Sequence, residues 1–457
     1  MTVASGGPND RLGKLFVDRG DVSDLLAADE RLRKTPLQLV CGSGIGQSET
    51  QQITASAIVA MGVRAFPAGV HFVTDVGSEG ALVNWACAQT LGEVLSGEGA
   101  EAADYSPDLP SVFLGRSPTE PRSTRLAALA VPRGWAGGVV PVGWAPIPEY
   151  RPGILGAVVA AAMAVSEIFH AFHDLDPRAA RRAAGFSLWR PDSAWTSPDA
   201  LGPRLELLPY ELWLLGLGHL GQALAWLLRA LPWGSPSQAL MYLQDFDTVE
   251  IENIGTSLLS RDCDRGRLKT RRVAEALEEV GLRTRLVERR FDGHQRRQLN
   301  EPASAIVGLD KPETRRPLDS VGWSHLIDAG IGAGAETFTQ FVVHRLGGER
   351  SSEEIFAIGH RDERERLITN VEGYRAAELD QCGTLTMAGQ AVGTSFVGGI
   401  TAAVSLAELI RPLHEGPSLE IVSGDLTRPK PLEVSIRELE PGRMPTHAEA
   451  RDLREIH

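Results

Sequence analysis

Two stretches of the chain set short apolar runs against segments whose apolar residues recur at helical spacing. The run Leu37-Gln-Leu-Val40 predicts a strand; the turn CGSGIGQ follows at once, and residues 48–61 predict a helix. Ahead of them, VSDLLAADERLRK has helical spacing. Residues 131–153, dense in Pro and Gly, read as loop, and residues 156–172 as a helix rich in small residues. Residues 174–209, rich in Arg, Pro, Ser and Asp, read as an inter-domain connection. The pattern then restarts. Residues 212–215 predict a strand, Gly216-Leu-Gly218-His-Leu-Gly221 a turn, and residues 222–231 a helix. Residues 239–243 form the next strand, ending in Gln244-Asp245-Phe-Asp247. Further alternation predicts a helix at 269–280, strands at 285–288, 305–308, 325–328 and 339–343, and a second small-residue helix at 398–410.

Strands alternating with helices imply a mostly parallel α/β sheet, and strand, glycine turn, helix is the opening of a Rossmann-type unit. Both stretches begin this way. Both end in a small-residue helix, AAAMAVSEIF at Glu167 and TAAVSLAELI at Glu408. The order argues an internal repeat, with residues 1–200 as one domain and 201–457 as the other.

Composition narrows the function classes. At 457 residues the chain is long enough for two or three domains. With 46 basic against 59 acidic side chains and a net charge of −13, the surface repels phosphate backbones, so nucleic acid is not expected as a partner. No signal peptide is expected. The run GILGAVVAAAMAV is too short to span a bilayer, so no membrane partner is expected. The four cysteines, Cys41, Cys87, Cys263 and Cys382, include no C-x-x-C pair. Structural zinc is therefore not expected, and a reducing cytoplasm fits.

The second glycine turn carries the chemistry. Gly216, Gly218 and Gly221 lie between a strand and a helix, where glycines let backbone N–H groups approach a phosphate at the helix N-terminus. Asp245, at the end of the next strand, sits where an acidic residue binds ribose hydroxyls. Context alone would suggest NAD. The motifs that follow point elsewhere: Asp245-Phe-Asp247-Thr-Val-Glu250-Ile-Glu-Asn253, Gly266-Arg-Leu-Lys269, and Gly308-Leu-Asp310-Lys-Pro-Glu-Thr-Arg315. This series, from about Leu212 to Ile410, resembles the E1 ubiquitin-activating, ThiF and MoeB family.

The resemblance implies tandem Rossmann-like ThiF/E1 adenylation domains forming an intramolecular pseudo-dimer, with helices on both faces of mostly parallel sheets. Residues 1–200, which lack the later motifs, would be a degenerate, ATP-incompetent copy or, alternatively, an unrelated recognition domain. The cofactors implied are ATP and Mg²⁺. By the same resemblance Asp245 binds ribose, Lys269 neutralises phosphate, Asn253 positions the phosphates, Asp310 holds Mg²⁺, and Asp247 lies near the reacting centre. Two positions depart from the pattern. The family's arginine after the Asn falls at Thr256, and its Asn after the last Asp falls at Lys311. Arg11 is the candidate for the missing cation, because related dimers supply an arginine from a partner's N-terminal helix.

Cys382, on the expected crossover loop 346–390, occupies the place of the family's acyl-accepting cysteine. Cys263 is the competitor; Cys41 and Cys87 read as core residues. The resemblance thus implies an enzyme that adenylates the C-terminal glycine of a ubiquitin-like protein. It would then hold that protein as a thioester and pass it to an E2-like carrier, as in bacterial, including antiphage, conjugation operons. The alternatives are a ThiF-like enzyme acting on a peptide or sulfur carrier, and a nucleotide-binding scaffold without catalysis.

Overall fold

The computed structural model describes residues 11–42, 44–73, 77–83, 85, 88–115, 126–144, 147, 151–357, 391–428, 432–436 and 450–452. Its first sheet comprises β1 (Leu37–Cys41), β2 (Val70–Val73), β3 (Glu101–Ala103), β4 (Ser111–Leu114), β5 (Ala127–Arg133), β6 (Ala136–Pro141) and β7 (Ala184–Ser187). With them go α1 (Gly13–Asp18), α2 (Leu25–Leu32), α3 (Glu49–Ala65), α4 (Leu91–Glu98) and α5 (Ile154–Phe172). A short strand, β8 (Leu207–Pro209), leads into the second sheet.

That sheet comprises β9 (Glu211–Leu215), β10 (Leu240–Gln244), β11 (Arg283–Val287), β12 (Ser304–Val307), β13 (His325–Ile331), β14 (Gln340–Leu346), β15 (Leu419–Asp425) and β16 (Glu433–Ile436). Its helices are α6 (His219–Ala230), α7 (Ile251–Ile254), α8 (Lys269–Glu278), α9 (Pro312–Arg315), α10 (Ser352–Phe356) and α11 (Ser395–Ile410). β17 (Ala450–Asp452) returns to pair with β8.

The two sheets share one topology. The first runs β3-β2-β1-β4-β5-β6-β7 and the second β11-β10-β9-β12-β13-β14-β15-β16. In each, the first five strands pair in parallel and the rest antiparallel. The repeat expected from the glycine turns is therefore present over seven strands of each sheet, and β16 is an addition to the second. The final helices also correspond: each carries a buried glutamate in its C-terminal part, Glu167 of α5 bonded to Arg182 at 2.9 Å and Glu408 of α11 bonded to Arg411 at 2.6 Å. α5 and α11 pack directly on each other, with Phe169 and Phe396 ring centroids 5.6 Å apart.

Residues 131–153 are not loop throughout, because β5 and β6 form an antiparallel hairpin there. Its glycines misled the reading, yet close packing requires them. A Cβ on Gly137 would strike the Gly156 carbonyl and lie 2.6 Å from the Ala160 nitrogen, so only glycine lets α5 lie this close to the strand. Residues 174–209 likewise are more than a connection, since β7 closes the first sheet. The buried helix α5 is longer than the apolar run suggested. Residues 154–172 and 395–414 are each long and apolar enough to cross a bilayer, and 94% of each apolar window is buried inside the molecule.

The interface between the halves is aromatic and holds a buried imidazole, His170, which stacks on Phe338 at 5.5 Å. Behind it in the first half, the buried His173 lies 4.6 Å from Phe169 and 5.0 Å from Phe16. Burial pushes His170 down to about 4 and His173 down to about 3.

Replacing Gly137 by alanine should destabilise the protein by roughly 2–3 kcal/mol, because the clash is with backbone that cannot rotate away. The midpoint of urea unfolding reports this, and an unchanged midpoint would contradict the packing argument. Acid should also weaken the fold. A histidine whose folded pKa is depressed stabilises fully above the unfolded value of about 6.5, and that stability is lost as pH falls towards the folded value. At pH 5, His170 and His173 should each have cost about 2 kcal/mol relative to neutral pH. Denaturant titrations at pH 7.5 and pH 5 measure the loss, and equal stabilities would refute it.

Candidate active site

The site is built at the C-terminal ends of the parallel strands of the second sheet, where open α/β sheets bind ligands. β9 ends at Leu215, and the chain turns at Gly216 with φ +87°, a conformation that favours glycine. A Cβ on Gly216 would come 2.9 Å from the Gly308 carbonyl, and one on Gly221 would strike the Gly216 carbonyl. Gly216 and Gly218 line the cavity described below, whereas Gly221 lies behind them and lets α6 close onto the turn. The N-cap of α6 is Gly218, which has no side chain to cap the helix. The helix therefore presents backbone N–H groups at the mouth of the turn, a fit for phosphate.

Asp245 holds this turn in place. One of its oxygens accepts from Leu217 N at 2.6 Å, the other from Phe246 N at 2.7 Å and Asp247 N at 2.9 Å. Two residues on, Asp247 is half exposed and accepts from Lys269 Nζ at 3.3 Å. The backbones of this pair also meet, Lys269 N donating to the Asp247 carbonyl at 3.0 Å. The Lys269 ammonium is thus held at the first turn of α8 against one carboxylate, with its side chain only 9% exposed. Asn253 caps its own short helix, its Oδ1 accepting from Glu250 N at 2.9 Å.

Asp310 is exposed in the turn that follows β12. The turn that carries it is fixed by Arg315, whose Nε donates to the Leu309 carbonyl at 2.7 Å and whose Nη1 donates to the buried Asp328 at 3.3 Å. Among the described residues no group of three or more His, Cys, Asp or Glu could hold a metal alone. A single open carboxylate nonetheless suits Mg²⁺, which takes most of its ligands from substrate phosphates and water.

One cavity of about 1470 Å³ brings these groups together: Arg11, Gly216, Gly218, Asp245, Asp247, Asn253, Lys269 and Asp310 all line it. Its volume exceeds the ~300–1,000 Å³ of an ordinary small-molecule site. It extends from the glycine turn along β14 and β15, past Val342, His344 and Ser423.

Arg11 enters from the first half of the chain, where Nε donates to the Ala391 carbonyl at 2.9 Å. An ideal Cβ on Gly393 would lie 2.7 Å from Thr256 Cγ2 and 3.7 Å from Arg11 Cζ. The guanidinium therefore neighbours the buried threonine that stands where the related motif has an arginine.

Cys382 and Cys87 lie outside the described residues. Cys263 is exposed and is not part of the cavity wall. Cys41 is buried, and burial pushes its thiol up to about 12, as suits a core residue. Sequence reasoning missed several cations of the wall, namely Arg289, Arg290 and Arg428. They follow strands β11 and β15 with no motif spacing to mark them.

Comparison with known proteins gives the family. A family model described as the BilD C-terminal domain matches residues 208–416, and one described as the BilD N-terminal domain matches residues 36–188. A bacterial E1-like protein BilD of Collimonas sp. (strain OK412) is 33% identical over 421 residues, 91% of this chain and 90% of that protein. Among solved structures, E. coli MccB with AMPCPP and SeMet MccA matches at a TM-score of 0.37 and 14% identity, over 69% of this chain and 96% of MccB. MccB with ATP matches at a TM-score of 0.35 and 14% identity, over 68% and 94%. With its two domain models matched in order and its length shared with an E1-like relative, the chain belongs to the BilD family of bacterial E1-like proteins.

Proposed function

We propose that this protein uses ATP to activate the C-terminal carboxylate of a ubiquitin-like protein, holds that protein as a thioester on Cys382, and passes it to an E2-like carrier. The observation that carries the reading is the convergence of Lys269, Asp247, Asp310 and Arg11 on one cavity beside a glycine turn at a helix N-terminus. A dehydrogenase has no use for Asp310 and Lys269 in these places. The likeness to MccB carries no weight at its low TM-score.

In the first step a carboxylate oxygen attacks the α-phosphorus of ATP. The phosphorus–oxygen bond to pyrophosphate breaks, its electron pair leaves with pyrophosphate, and an acyl-adenylate forms. Charge accumulates on the polyphosphate, and fixed cations stabilise it. Lys269 and Arg11 are those cations, and α6 adds its N–H groups. Asp247 holds the ammonium at its post through the 3.3 Å contact. Asp245 keeps the turn closed with three of its roughly four acceptor sites and retains one for a ribose hydroxyl. When bound, Mg²⁺ offsets phosphate charge, and Asp310 is the residue that would hold it. In the second step the Cys382 thiolate attacks the acyl carbon, the carbon–oxygen bond to the phosphate breaks, and AMP leaves. The length of the cavity along β14 and β15 gives room for an extended C-terminal tail beside the nucleotide.

Asp310→Ala should lower ATP–pyrophosphate exchange driven by the ubiquitin-like partner by about 100-fold or more. Cys382→Ala should leave exchange largely intact and eliminate the reducible enzyme–partner adduct on a non-reducing gel, and Cys263→Ala should change neither. An adduct that survives loss of Cys382 and disappears with Cys263 reverses the cysteine assignment. Exchange with a peptide but with no ubiquitin-like protein, and no adduct, would favour a peptide-adenylating enzyme instead.

Arg11→Ala should reduce the exchange rate by about 10- to 100-fold, with partial recovery in Arg11→Lys, if its charge serves the transferring phosphate. Wild-type exchange in Arg11→Ala would remove it from the mechanism.

A further inference from the structure

The segment between the two phosphate-facing residues of the site is held from outside its own domain. Residues 257–260 join α7, which carries Asn253, to the 3₁₀ turn ahead of α8, which opens with Lys269. These residues form no helix or strand, so their carbonyls need partners from elsewhere. All four are taken by guanidinium groups. Arg64, on α3 of the first half, donates from Nε to the Ser257 carbonyl at 2.8 Å and from Nη2 to those of Leu258 at 2.8 Å and Ser260 at 3.2 Å. Arg272 of α8 donates to the Leu259 carbonyl at 2.9 Å. Arg64 is 4% exposed, and its remaining arm donates to the Ala60 carbonyl of its own helix at 2.6 Å, which fixes the plane of the fork.

The same segment is tied to the glycine turn. Gln222 accepts from Leu259 N at 3.1 Å and donates to Ser260 Oγ at 2.8 Å and to the Leu217 carbonyl at 3.3 Å. At its other end, Thr256 N and Ser257 N donate to the Asn253 carbonyl at 3.2 and 2.8 Å. An arginine of the degenerate half thus supports a strip of backbone whose ends are the glycine turn and Asn253.

We propose that Arg64 is a positioning residue of the nucleotide site, through which the first half sets the geometry of residues 253–260 and of the turn at Leu217. The proposal rests on reading the cavity as an ATP site. Geometry explains the choice of side chain. The planar guanidinium offers donors in a rigid fork that can meet three separate carbonyls, whereas a lysine's donors share one nitrogen and cannot span them. An apolar residue would leave three carbonyls buried and unpaired.

The test compares Arg64→Lys with Val59→Ala, a cavity-forming change in the core on the same helix. Amide hydrogen exchange of the nucleotide-free protein and calorimetric titration with MgATP are measured for both and for wild type. Arg64→Lys is expected to exchange the amides of Ser257 and Leu259 roughly tenfold faster and to weaken MgATP binding roughly tenfold. Val59→Ala, although destabilised, is expected to keep wild-type affinity and local protection. Wild-type MgATP affinity in Arg64→Lys overturns the proposal, as does an equal loss of affinity in Val59→Ala, which would assign the effect to general destabilisation. Failure of wild type to bind MgATP, while Arg64→Lys still loosens residues 257–260, overturns the ATP reading and the positioning role together, and the persisting local change identifies that case.

Discussion

Two helices that are buried on every side govern this structure. Every residue of α5 from Ile154 to His170 is buried, and so is every residue of α11. A helix resting on one sheet presents only one stripe to the core. These have no polar stripe to turn outward, so each must be covered both by its own sheet and by a second body. Each supplies that body for the other. Ala, Gly and Val along both helices keep the backbones close enough for the contact to exclude water. The tandem architecture follows from this constraint, because neither half could bury its last helix alone.

The cavity of the candidate site depends on the same contact. α11 meets the first half through Ser395, whose hydroxyl donates to the Met61 carbonyl of α3 at 2.7 Å, and Arg64 lies one turn further along α3. Arg11 reaches its place at Ala391 just ahead of α11. A half without the nucleotide motifs therefore delivers two guanidinium groups to the other half. One lies in the cavity wall, and one lies beneath a loop that leads to it.

Buried charge follows the duplication too. Glu167 with Arg182 and Asp176, and Glu408 with Arg411, sit at corresponding helix ends. Removing both partners of such a pair often costs little, whereas removing one leaves a charge uncompensated in the core. Arg411 also donates to the Leu188 carbonyl, just past the end of β7, at 2.8 Å, so the second pair bridges the halves.

The amino-acid sequence by itself determined the order of elements around the second glycine turn, because turn, strand end and helix start are each decided by neighbours within a few residues. Gly216, Asp245, Asp247, Asn253, Lys269 and Asp310 could be named for the same reason: each sits just past a strand end, in a loop or in the first turn of a helix, where local spacing is distinctive. The hairpin β5–β6 was not legible, since its glycines answer to a helix about twenty residues away and look locally like loop. Arg64 and Arg289 were not legible either. An arginine inside a helix or after an edge strand has no local pattern that separates a buried fork from a solvated side chain. Arg11 could be suggested only by analogy, and its approach to Thr256 across Gly393 was decided by how α5 and α11 bring the halves together. What lies within a turn or two of chain is set by local chemistry; what crosses between the halves is set by which surfaces can be buried together.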